Sequence, residues 1–270
     1  MTAGTTTTPT PPTTTMVAAH QPHFLPWLGY LAKIAAADLF VVMDDLQYEA
    51  QNFQNRNRIK LDTGAAWLTV PVERGSLYDS ILAKRIALST NPRHDWRRRM
   101  WATIETHYRR APYFARYAPE LRAIFDVEHT SLVELDLRML DLARGWFGIT
   151  TPIVRSSTLA LSGAKTDRIL AMVRAVGAST YLSGTGGSTQ YLEPRAFQAA
   201  GVGLAWHRYE HPVYEQRYPS VPFIPRLAFL DAWFNAGPAA AAWIVPANRP
   251  ANRPANQLAN QPATPHREVA

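Results

Sequence analysis

Two histidines three residues apart, His20 and His23, sit in "AHQPHFLPW" at the mouth of the first helical pattern of this chain. Pro22 and Pro26 stiffen that loop by fixing φ, which suits a site whose groups must be held still. A neutral imidazole there can take a proton at working pH, so His20 is a candidate general base. The alternative is a histidine that caps a turn. Asp44 and Asp45 close the next strand-like run, "DLFVVMDD", with Gln47 and Tyr48 beyond. Side chains alternate along a strand, so one carboxylate of the pair can face a pocket, where Asp44 could orient His20. Equally, it could cap the following turn. "NFQNRNRIK" then presents Asn55, Arg56, Asn57 and Arg58, a set of amides and guanidiniums that reads as too polar for a core. Arg56 or Arg58 can grip a phosphate or carboxylate bidentately, and a surface hairpin is the plainer reading. "YLSGTGGSTQYL", Tyr181 to Leu192, is a Gly/Ser loop between a strand and a helix that includes Gly184 and Tyr191; its amides and hydroxyls could cradle an anion, although it fits neither the dinucleotide nor the P-loop pattern. Ser156 and Ser157 end another strand-like run. "YEHPVYEQRY" adds Tyr209, His211, Tyr214 and Gln216 after a further one.

All these groups follow strand ends, so the elements that carry them matter. "MVAAH" reads as a strand, and Leu28, Leu31 and Ile34 recur at helical spacing. "WLTVPV" and "ILAKRIAL" read as strands. Residues 95–108 and 131–147 read as helices, the second with a Ser131/Glu134 capping box and Gly148 as its stop. "TPIVRSS", "STYLSG" and "VGLAWHRY" read as strands separated by the helices "AKTDRILAMVRAVG" and "EPRAFQAAG". Strand–helix alternation predicts an α/β fold, a mostly parallel Rossmann-like sheet with crossover helices, plus a helical block in mid-chain. Ligands of such sheets sit at the carboxyl ends of the strands.

The chain has 270 residues and no cysteine, which excludes disulfides, thiol nucleophiles and Cys-zinc sites. No window has the ~20 apolar residues of a membrane span, and the first residues lack the charge and apolar pattern of a secretory signal, so a cytoplasmic protein is expected. Residues 1–15 are almost all Thr and Pro, and a Pro/Asn repeat runs from 246; both flanks read as disordered around a single domain, 16–245. Net charge is +7, of which the C-terminal flank holds +2. "RHDWRRRM" is the densest basic run. It reads as a solvated helix face, or as a surface that attracts phosphates. No nucleic-acid motif accompanies it, so a nucleic-acid partner is not expected. The histidines show no helical i, i+4 pairing, so no metal is called for.

"HQPHFLPWLGYLAKIAAADLFVVMDDLQY", "NRNRIK", "WLTVPV", "GITTPIVRSSTL", "GASTYLSGTGGSTQYL", "YEHPVYEQRY" and "FLDAWFNAG", in this order over about 17–238, resemble the WbqC-like family. Asp136 departs from that pattern, which calls for Asn. The resemblance implies a group transferase acting on a small activated or carrier-bound substrate (acyl, aminoacyl or nucleotide-linked) in surface-polysaccharide or specialised-metabolite assembly. It implies a shared site of His20, Gln21, Asp44, Gln47, Asn55, Arg56, Asn57, Ser157, Gly184, Tyr191, His211, Tyr214 and Gln216, without roles and without a named cofactor or oligomeric state. Among these, His20, Asp44 and His211 are the catalytic candidates and the remainder bind substrate. A weaker similarity is to the HxGH nucleotidyl-transferring enzymes, but Pro26 and Tyr30 stand where their two histidines would be. Adenylate formation and a non-catalytic scaffold are the alternatives.

Overall fold

Along β1 (Met16–His20), Val17 and Ala19 enter one apolar core while Ala18 enters another. In β2 (Leu39–Val42), Val41 joins the first of these cores, and Phe40 and Val42 the second. Such alternation with both faces buried requires cover on both sides of the sheet, and the short apolar strands supply the two faces. A computed structural model describes residues 16–244. The Thr/Pro segment 1–15 and the repeat from 246 lie outside the described residues.

The central sheet adds β5 (Ile153–Arg155), β6 (Thr180–Gly184) and β7 (Gly203–His207), in the spatial order β5-β2-β1-β6-β7, every pair parallel. Counted by appearance in the sheet, this is the doubly wound order 3-2-1-4-5, whose direction of winding reverses between β1 and β6. Helix α1 (Leu28–Ala35) follows β1. The block between β2 and β5 holds a hairpin, β3 (Arg56–Leu61) with β4 (Gly64–Thr69), and then α2 (Trp96–Tyr108), α3 (Phe114–Phe125) and α4 (Leu132–Phe147). Helices α5 (Lys165–Ala175) and α6 (Pro194–Ala199) cover the other face, and α7 (Phe229–Ala236) returns to the α1 side. Among the described residues, no helix is long and apolar enough to cross a membrane.

Local signals act as expected in α4. The Ser131 hydroxyl accepts from Glu134 N at 3.4 Å, and Gly148 closes the helix at φ 67°. The Glu134 carboxylate does not return the bond; it takes Arg155 at 2.7 Å, so the capping box is half made. On α2, Trp96, Met100, Ile104 and Tyr108 are buried and Arg98 and Arg99 face solvent.

Three expectations change. Residues 81–88 form no strand: Ile81–Ala83 is a single 3-10 turn, and beyond it Arg85 and Ile86 make only isolated antiparallel bridges, to Ser131 and Val72. Of "WLTVPV", only Trp67–Thr69 lies in a strand; Pro71 has no N–H for a ladder. The segment read as too polar for a core supplies β3, with Asn57 and Lys60 fully buried. Helices α3 and α7 are additions; α3 carries an internal Pro119.

Candidate active site

The winding reversal puts the carboxyl ends of β1 and β6 side by side. His20 ends β1 and Gly184 ends β6. Between them rises Lys33 from α1. It is 5% exposed and its Nζ donates to Ala19 O at 2.8 Å. A Cβ on Gly184 would lie 3.9 Å from that nitrogen, and Cβ atoms on Gly186 or Gly187 would meet nothing within 4 Å. The ammonium therefore lies close to Gly184, where β6 runs into the glycine loop, with no carboxylate paired to it among the described residues. Ser183 and Ser188 brace the loop through their hydroxyls at 2.9 Å, and Ser188 Oγ donates to Gly184 O at 2.8 Å. Burial lowers the Lys33 pKa from 10.5 to about 8.

His20 Nδ1 lies 3.1 Å from Gln21 O, which can only accept. Nδ1 therefore carries the proton and Nε2 the lone pair, the form a proton acceptor needs. Burial first, and then the charge of Lys33, lower the His20 pKa to about 3. The same two causes bring His207, the last residue of β7, to about 4. His20 packs edge-on against His23 at 4.6 Å and Tyr30 at 5.2 Å, and His23 stacks on Tyr30 at 4.8 Å and on Phe53 at 5.4 Å. Tyr30 Oη donates to Gln21 O, and Gln54 Nε2 donates to Gln21 Oε1 at 3.0 Å.

The loop that carries these rings is held from below. Buried Leu25 sits at φ 47°, a left-handed conformation unfavourable for a branched side chain. Asn57, fully buried, donates to Leu25 O at 2.6 Å and Phe24 O at 3.3 Å and accepts Arg58 N at 2.8 Å. Its amide is occupied by the protein itself. Replacing Asn57 with Ala is expected to lower stability by about 2 kcal/mol, because two buried carbonyls lose their donor. A urea midpoint equal to wild type would show that the loop keeps its shape unaided.

Asp44 does not face His20. Its carboxylate accepts from Arg155 Nε at 2.6 Å, Ser157 Oγ at 2.8 Å, Ser157 N at 3.0 Å and Ser156 Oγ at 3.3 Å. Burial alone would raise its pKa; the Arg155 and Ser157 bonds outweigh that and hold it low. The expected orientation of His20 by Asp44 is replaced by a tie between β2 and the end of β5. Gln47, exposed, donates to Leu77 O. Asn55 donates to Val70 O, and its buried Oδ1 has no partner. Arg56 lies over Trp67 at 4.1 Å and bonds Gln51 O. Tyr191 O accepts Thr166 Oγ1 beyond the glycine loop. His211 stacks near-parallel to Trp27 at 6.4 Å, with Nδ1 against Pro212 O and a buried, unpartnered Nε2. Tyr214 Oη and Gln216 Nε2 both donate to Asp231, at 2.7 and 2.8 Å.

The site thus gathers His20, Gln21 and Gly184 at the sheet edge, sets Asp44 with Ser157 beside it, and gives Asn57, Tyr214 and Gln216 structural bonds. Lys33, Ser183 and His207 were missed. Lys33 had a signal, a lone cation inside the apolar helix "LGYLAKIA". Among the described residues, no group of three or more His, Asp or Glu is placed to hold a metal ion. Surface clefts of about 550 and 300 Å³ lie elsewhere, by Trp146 and by Phe147.

The model of the WbqC-like protein family matches residues 21–242, a span that begins one residue after His20 and includes Gln21, His23, the glycine loop and Asp231. The chain belongs to the WbqC-like family. A relative in Mycobacterium tuberculosis (strain ATCC 25618 / H37Rv), the uncharacterized protein Rv1507c, is 31% identical over 230 residues, covering 84% of this WbqC-like chain and 96% of that protein. No solved structure matches it. Asp136 is 1% exposed on α4, and neither carboxylate oxygen has a partner.

Proposed function

We propose that this WbqC-like protein is a group transferase that moves an acyl or aminoacyl group from an anionic activated donor to an amine of a small acceptor. One observation supports it most: a buried ammonium, Lys33, without a carboxylate partner among the described residues, close to Gly184 at the end of β6 and near enough to His20 for its charge to act on that ring. A buried charge without a counter-ion is expensive, and an anionic ligand supplies the missing partner. The amine nitrogen attacks the donor carbonyl and forms the C–N bond. The bond to the anionic leaving group breaks with its electron pair, and the amine proton passes to His20 Nε2. Burial is the main cause that weakens His20 as a base, and an anion on Lys33 removes the second, the lysine's charge. The chain has no cysteine, so direct attack on bound donor fits better than a thioester intermediate. The pathway reading, surface-polysaccharide or specialised-metabolite assembly, rests on the family resemblance. The strand order supports a second reading in which the donor carries a nucleotide.

The test uses the full chain and inorganic sulfate, whose charge is constant above neutrality. Sulfate should bind at pH 7 and weaken roughly 30-fold by about pH 9.5, because Lys33 loses its proton through about 8. Acyl phosphates, acyl adenylates and acyl-CoA are then offered with small amines and amide products sought by mass spectrometry. Sulfate affinity that ignores pH, or no amide with any donor, would sink the reading.

A further inference from the structure

Three neighbouring strands bring a histidine, a glycine and a histidine level with one another. β1 pairs with β6 so that Ala18 lies opposite Leu182, and two residues on, His20 comes level with Gly184. In the next ladder Gly184 lies opposite His207, the last residue of β7. Ala18, Leu182 and Ala205 all enter one apolar core, so the residues two further along share that side of the sheet. Strands of a sheet lie about 4.8 Å apart, which sets the two histidine Cα atoms about 10 Å apart with no side chain between them. The gap is open: within 4 Å, a Cβ on Gly184 would meet only the Lys33 ammonium, at 3.9 Å. His20 has its Nδ1 proton committed to Gln21 O. His207 has no such commitment. Among the described residues neither of its ring nitrogens has a hydrogen-bond partner, and neither is sealed in the interior. Burial, and then the Lys33 charge, keep His207 neutral at pH 7. A neutral imidazole with both nitrogens free takes either tautomer and donates one N–H.

We propose that the gap over Gly184 seats the oxyanion of the donor, and that His207 is its second ligand, donating an N–H to an oxygen of that group. The inference deepens the transferase reading and rests on it for its purpose. It lays the reaction out along the sheet edge. The leaving group lies on the β7 side, and His20, on the β1 side, is left to accept the amine proton. As the C–O bond to the leaving group breaks, the electron pair goes to an oxygen that His207 hydrogen-bonds, and His207 keeps its own proton. Lys33 and His207 belong to separate elements, α1 and β7, so the seat offers donors from two directions. That suits a group with several terminal oxygens, the phosphoryl of an acyl phosphate or acyl adenylate, better than the sulfur of a thioester.

The probe is inorganic sulfate, titrated calorimetrically into the full chain at pH 7. Gly184→Ala puts a methyl group in the gap with no clash, and Gly184 is not in the left-handed region, so the urea midpoint should hold or rise. Sulfate affinity should fall roughly tenfold or more in Gly184→Ala and in His207→Leu, the worth of a contact to a charged group. His207→Gln keeps an N–H donor and should recover most of that loss, a difference that a merely structural histidine would not produce. Wild-type affinity in either Gly184→Ala or His207→Leu overturns the seat, and so do equally weak His207→Leu and His207→Gln proteins. In those cases, sulfate binding that still weakens through about pH 8 leaves the Lys33 reading standing. Affinity lost in the variants but indifferent to pH in wild type would keep the seat and overturn Lys33 as its charge. Absence of sulfate binding in wild type overturns both.

Discussion

Lys33→Met is expected to make the protein more stable and less able to bind anions. Burial depresses the Lys33 pKa from 10.5 to about 8. The folded state therefore holds the charged form reluctantly, and the penalty is present in full below pH 8. Between about 8 and 10.5 the folded protein sheds the proton while the unfolded chain keeps it, so wild-type stability rises across that window. Above it, the penalty is gone. At 1.36 kcal/mol per unit, the variant should gain about 3 kcal/mol at pH 7 and converge with wild type near pH 10.5. Sulfate affinity should fall roughly 30-fold, the worth of one charge-assisted contact. Opposite signs for stability and binding mark a residue kept for function. His20→Ala completes the test. It should keep sulfate binding and lose about a hundred- to ten-thousand-fold in transfer, the usual share of a positioned base. Urea midpoints at several pH values and sulfate calorimetry read both variants. A Lys33→Met protein that is destabilised at pH 7 would make the lysine a structural strut.

Asp231→Ala should produce the largest loss of stability, about 4 kcal/mol. Asp231 is fully buried and accepts from Tyr108 Oη at 2.7 Å, Tyr214 Oη at 2.7 Å and Gln216 Nε2 at 2.8 Å. Alanine orphans the two tyrosine hydroxyls and leaves Gln216 Nε2 with only its bond to Ile224 O, at about 1–3 kcal/mol for each group that stays dry. The Tyr108 hydroxyl also accepts Lys60 N from β3, so the loss reaches the hairpin under the site loop. For a domain of this size, the calorimetric midpoint should drop by about 10 °C. Asp231→Asn keeps an acceptor and should lose less. A shift of under about 2 °C for alanine would show that the three donors find other partners.

How much was legible follows from where each signal lies. Helix α4 announces itself through its apolar stripe, Ser131 and Gly148, all within one element. The alternation from β5 to β7 is legible for the same reason, and it carries the fold class and the edge where the site gathers. Periodicity puts Lys84 in a strand and cannot show that its carbonyl is taken by Leu132 N. Asn57 and Lys60 look too polar for a core in sequence because their burial depends on α7 and α2, which pack from far along the chain. The Asp44–His20 pair failed on register. β2 pairs with β5 so that Val42 faces Arg155, and two residues on, Asp44 meets Ser157. Lys33 escaped because α1 looks one-sided in sequence, yet Gly29 through Ile34 are all buried. Asp136 was visible as an odd residue; that both oxygens lack partners is a property of packing alone.

The long excursion between β2 and β5 shapes how the protein can be made. Residues 43–152 must leave the ribosome before β5 arrives to cover one side of the β1–β2 pair, and β6, which covers the other, comes later still. At about 5–20 residues per second, the pair waits for roughly 6–20 seconds with two open strand edges. Its strands read MVAAH and LFVV, apolar and free of charge, the kind of edge that recruits other chains. The hairpin and the three helices that intervene can fold from mostly local contacts and pack on the β1–β2 pair in the meantime. The same block that supports the site loop in the finished protein is thus positioned to shield the nascent sheet.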